Sequence, residues 1–85
     1  MNTPQQKRLA IHKAAILGYL NGIQEELEKG VDVNAKDPTD ANCTALHHAA
    51  WCGQFHTVKF LVENKANIHQ VDDCDNDAFN FAART

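Results

Sequence analysis

Cysteine is scarce and odd in number. Cys43, Cys52 and Cys74 are the three in the chain. An odd count, without a signal peptide, argues against a disulfide framework and for a reducing compartment. Met1-Asn2-Thr3-Pro4-Gln5-Gln6 lacks the basic and apolar regions of a signal peptide. A cytoplasmic or otherwise intracellular location is therefore expected. Positive charge is also short: eight basic against eleven acidic residues leave a net charge of −3. Without a basic stripe, neither nucleic acid nor an anionic membrane is an expected partner. No apolar run reaches the length of a membrane span. Glycine-rich phosphate loops and Ser-His-Asp arrangements are missing too, so no enzyme class is suggested.

What is present centres on Thr44-Ala45-Leu46-His47-His48-Ala49-Ala50-Trp51-Cys52-Gly53. Thr44 is fit to cap a helix and Gly53 to stop it. The paired alanines allow another helix to approach closely, and Leu46 adds apolar bulk. His47 lies three residues after Thr44, within reach of its hydroxyl. A helix this short needs neighbours, because nucleation is costly.

The chain supplies them. Leu9-Ala10-Ile11-His12-Lys13-Ala14-Ala15-Ile16-Leu17-Gly18 repeats the pattern upstream, and Asp77-Ala78-Phe79-Asn80-Phe81-Ala82-Ala83 starts it again downstream. Ile11 and Leu46 are 35 residues apart, Leu46 and Phe79 33 apart. At these residues the sequence resembles the ankyrin-repeat family, whose period is about 33 with Thr-Pro-Leu-His-x-Ala at its centre. The resemblance spans nearly the whole chain. It implies an all-α solenoid of helix-turn-helix pairs with protruding hairpin-like loops, two repeats complete and a third begun. The expected boundaries are about 4–36, 37–71 and 72–85.

Thr3 and Pro4 suggest a first helix from Pro4 to Leu17, with a polar opening suited to a terminal cap. Leu9 stands in Thr44's place, so His12 has no hydroxyl there. A second helix is expected from Tyr19 to Lys29, with Leu20, Ile23 and Leu27 inward and Gly30 as its left-handed end. After the central helix, another is expected from Phe55 to Asn64, buried through Val58, Leu61 and Val62 with help from Phe55. Lys65 falls where Gly30 fell, an expected local weakness. The loop 37–43 is two residues longer than its downstream match. The ending at Thr85 suggests a fragment of a longer array, or self-association through that end.

Cys43, His47, His48 and Cys52 have metal-like spacing, but adjacent histidines on a helix diverge by about 100°. No cofactor or metal is expected from them. Asp73, Asp75 and Asp77 begin like a calcium loop, yet Ala78 and Arg84 replace its required glycine and glutamate. They read as a solvated turn with Asp77 as a helix cap. The remaining expectation is a surface. The resemblance implies a concave face and loop tips that contact a protein partner, carried here by Ile16, Leu17, His48, Trp51, Cys52, Asp40, Cys43 and Arg84. The reading is a non-catalytic protein-binding scaffold. The alternatives are the N-terminal ankyrin segment of a larger regulatory, channel or enzyme protein, and a metal or thiol redox protein.

Overall fold

A computed structural model describes residues 8–79. Within it α1 (Ala10–Leu17) pairs with α2 (Leu20–Glu28), and α3 (Ala45–Trp51) pairs with α4 (Phe55–Glu63). α1 also packs on α3, which stacks one helix pair on the other. Ala78 and Phe79 are again helical. There is no strand among the described residues, only an isolated bridge between Asp37 and Cys43 that closes the loop before α3. The all-α solenoid expected from the repeats is what the chain adopts.

All four helices end in the same way. The chain turns left-handed at Gly18, Gly30, Gly53 and Lys65, with φ of 73°, 95°, 71° and 75°. At each end two backbone bonds reach back into the last turn. Tyr19 N–H donates to Ala14 O and Gly18 N–H to Ala15 O; Gln54 and Gly53 donate likewise to Ala49 and Ala50. Val31 and Gly30 bond to Glu26 and Leu27, and Ala66 and Lys65 to Leu61 and Val62. This double closure satisfies carbonyls that a helix end otherwise leaves open. Lys65 keeps the left-handed turn of its counterpart Gly30 without being glycine, the condition under which a local weakness is expected there.

The core follows the repeat. Ile11, Ile23, Leu46 and Leu61 are fully or almost fully buried, and Ala14, Ala15, Ala49 and Ala50 line the seam between the pairs. Burying each large aliphatic side chain contributes about 1.5–3 kcal/mol. Small alanines let α1 and α3 approach, and the larger residues fill the space between each helix and its partner.

Two expectations need correction. The first helix does not run from Pro4: Leu9 is extended, with φ −76° and ψ 158°, and α1 starts at Ala10. Leu9 takes the cap position that Thr44 takes in α3, so the repeat sets the start; the Thr3–Pro4 signal lies outside the described residues. Phe55 does not pack inward either, being 70% exposed, and Val62 is 41% exposed. These two are seven residues apart and share one face of α4. Thr57 and Leu61, at spacing four, hold the buried face.

Stacked loops lock the pairs together. Asn67 N–H donates to Asn34 Oδ1 at 2.7 Å, 33 residues earlier. Asp73 N–H donates to Ala41 O at 2.8 Å, and Asn42 Nδ2 donates to the Asp73 carboxylate at 3.1 and 3.3 Å. Asp37 and Asp72 play equal parts in their loops: each accepts a backbone N–H from two residues on, Thr39 and Cys74.

Candidate functional site

Thr44 begins α3 with a reciprocal cap. Its backbone N–H donates to His47 Nδ1 at 3.0 Å, its hydroxyl lies 2.8 Å from the same nitrogen, and His47 N–H donates back to Thr44 Oγ1 at 3.5 Å. Because Nδ1 accepts, the ring proton belongs on Nε2, which donates to Asn76 O at 2.8 Å. His47 thus ties α3 to the following loop. In α1, His12 Nε2 donates to Ala35 O at 2.8 Å, yet its Nδ1 is buried with no partner among the described residues. Leu9 supplies no hydroxyl to it. Burial lowers the His12 pKa, outweighing the bond to Ala35 and the field of Asp37.

His48 points the other way, into the preceding loop. Its Nε2 lies 2.8 Å from Asp37 Oδ2 and 3.2 Å from Cys43 Sγ. Arg8 Nε donates to the same Asp37 oxygen at 2.8 Å, while Thr39 donates to Oδ1 through its N–H at 2.9 Å and its hydroxyl at 2.6 Å. Burial alone would raise the Asp37 pKa. The bonds from Thr39 and His48 outweigh burial and hold it at about 2. Burial, reinforced by Asp40, Asp37 and Asp72, pushes the Cys43 thiol up to about 12. Asp37, Cys43 and His48 are all buried. They join loop, helix start and Arg8 in one network.

The residues expected on a binding face therefore divide. Leu17 is 73% exposed and Cys52 is exposed; Ile16, Trp51 and Asp40 are half-buried. The α1 and α3 ends are neighbours, since Gln54 Nε2 donates to Ile16 O at 3.3 Å. Cys43 and His48, by contrast, are buried. Both turn inward because Asp37 is buried beneath them and takes the His48 bond. Arg84 lies outside the described residues. Trp51 is not a free-standing surface ring: it makes edge contacts with His47 and His48 at centroid distances of 5.4 and 5.8 Å. The Cys43, His47, His48 and Cys52 set is not brought together, since His47 is committed to Thr44 and Asn76.

Asp37 and Arg8 were missed by sequence reasoning. The one available signal was the repetition of Asp37 by Asp72 at the head of each loop. A short, mainly apolar groove of about 240 Å³ also lies on the first helix pair, lined by Ala10, Ala14, Leu17, Tyr19 and Glu25 among others. Among the described residues no helix is long and apolar enough to cross a membrane.

Comparison with known proteins agrees with this architecture. A family model described as ankyrin repeats (3 copies) matches residues 1–83. Protein phosphatase 1 regulatory subunit 12A of Mus musculus is 34% identical over 73 residues, which cover 86% of this chain and 7% of that protein. The subunit of the same name from Rattus norvegicus matches with the same identity and coverage. The chain thus spans only a small part of these relatives.

Proposed function

The chain belongs to the ankyrin-repeat family, and from that premise we propose that it is a non-catalytic module binding a protein through the adjoining ends of α1 and α3. Ankyrin repeats serve generally in protein interaction. The observation that carries the reading is the apolar edge these ends leave to solvent. Leu17 is 73% exposed beside half-buried Ile16, with half-buried Trp51 and exposed Cys52 on the neighbouring helix. A leucine left 73% exposed adds little to the core, and a contiguous apolar edge suits a partner's side chains. Asp40, at the tip of the longer loop, adds a polar rim.

The relatives are named as regulatory subunits of protein phosphatase 1, which makes that phosphatase the first partner to try. Their far greater length favours a second reading, in which this segment is the recognition portion of a larger regulatory protein. The test is binding of purified phosphatase and of proteins captured from lysate to wild type, Leu17→Ser and Trp51→Ala. Leu17→Ser is the cleaner variant because its side chain touches little of the core. At least a tenfold loss of affinity in folded Leu17→Ser protein is expected. Equal affinity moves the surface elsewhere, first to the loop tip at Asp40.

A further inference from the structure

The buried group beneath α3 contains more chemistry than the fold requires. The repeat explains Asp37, because Asp72 does the same work one repeat later. It does not explain the other two. Cys43 corresponds to Arg8 upstream and Asn76 downstream, and His48 corresponds to Lys13 and Phe81. A thiol and an imidazole have been placed against a carboxylate at one position of the array only.

Their donor atoms converge. One donor atom from each of Asp37, Cys43 and His48 lies within 4.8 Å of the other two. His48 Nε2 is 2.8 Å from the oxygen and 3.2 Å from the sulfur. A tetrahedral ion with bonds of about 2.0–2.3 Å holds its ligands about 3.3–3.5 Å apart. Displacements below an ångström for the two measured pairs therefore suffice. The mixture of one sulfur, one nitrogen and one oxygen suits zinc(II) rather than calcium or magnesium, which take oxygen donors. The other Asp37 oxygen is already fixed by both Thr39 donors, an outer support of the kind that orients a metal-binding carboxylate.

We infer that Asp37, Cys43 and His48 form a site for one zinc(II) ion, with the fourth position open to water. On binding, the Cys43 S–H proton passes to buffer and a Zn–S bond forms. The His48 proton moves to Nδ1, freeing Nε2 for the ion. Arg8 leaves Oδ2 and turns toward Asp40, whose carboxylate is 3.9 Å from its guanidinium. Arg8 is partly exposed, and its bond to Thr39 Oγ1 at 3.3 Å is given up as it swings. The ion then clasps the loop 37–43 to α3.

The decisive protein is the full chain carrying Cys52→Ser and Cys74→Ser, both at exposed positions, so that Cys43 is its sole thiol. Reduced and metal-free, it is titrated with cobalt(II) and then zinc(II). One cobalt per chain is expected, with a near-ultraviolet thiolate charge-transfer band and intense tetrahedral visible bands. Zinc should abolish both, raise the melting midpoint, and show one sulfur among nitrogen and oxygen neighbours by X-ray absorption. Absence of the thiolate band overturns the site. So does one metal per two chains with two sulfurs, which would mark an adventitious bridge between molecules.

Discussion

His48 Nε2 sits 2.8 Å from Asp37 Oδ2, eleven residues earlier, with both side chains buried. The pair fastens the loop before α3 to the helix itself, and Arg8 joins it from the preceding repeat. A buried carboxylate with four donors is costly to disturb from one side. Removing one partner of such a set costs about 3–5 kcal/mol, because the rest stays buried and unpaired. Asp37→Ala should lower stability by about that amount in urea titration. Arg8→Ala, at a partly exposed member, should cost much less; equal losses would show that the ion pair, not the loop, dominates.

The pH dependence of stability has two limbs, to be measured in chelated buffer. Burial holds the folded His12 pKa below the ordinary imidazole value of 6.5. The unfolded chain therefore takes up the proton first, and stability falls as pH drops below about 6.5. Asp37, at about 2 against 3.8, and Asp72, also lowered, contribute stability that is present above about pH 3.8 and lost toward about pH 2. Urea midpoints across this range should show both steps, and His12→Gln should remove the first. A midpoint flat from pH 7 to 5 would contradict the buried neutral imidazole.

Lys65 holds a left-handed backbone at φ 75° where the other three helices use glycine. Lys65→Gly should stabilise by about 1 kcal/mol by relieving Cβ crowding. A loss of stability on urea titration would mean that unfolded-state entropy outweighs the relief.

Leu46 and Leu17 differ only in where the repeat puts them. Leu46 is 2% exposed and Leu17 73%. Leu46→Ala should cost about 2–5 kcal/mol, a large share of a small array's stability. Leu17→Ala should stay within about 0.5 kcal/mol. Thermal melts of the two variants, run side by side, check the stacking directly.

Thiol labelling checks the loop. Cys52 and Cys74 are exposed and Cys43 is buried. Iodoacetamide on native protein should add two labels quickly and the third only after denaturation, as read by mass. Rapid addition of three would show that the loop 37–43 opens freely.

Much of the fold could be read from Thr44–Gly53 and its copies, since capping, small seam residues and left-handed ends act within one turn of chain. Lys65 shows how far that reaches: alignment with Gly30 raised a left-handed turn as a condition, and the backbone meets it at φ 75°. The surface was harder. His48 and Cys43 were assigned to it by repeat position, yet burial is decided by what lies underneath, and that is Asp37. Its role depends on Arg8 and His48, which come from different elements. The start of α1 failed for a related reason. Thr3 and Pro4 form a good local start signal, but the stack demands that Leu9 stand extended where Thr44 stands.

The placement of Trp51 also gives the molecule an optical reporter of its own. It is the sole tryptophan, and its indole meets two imidazoles edge-on at 5.4 and 5.8 Å. The emission of the unlabelled chain therefore reports on the packing of α3 around this ring. Its wavelength tracks whether anything covers the helix end. Unfolding and occupancy can thus be followed in one cuvette, without attaching a dye.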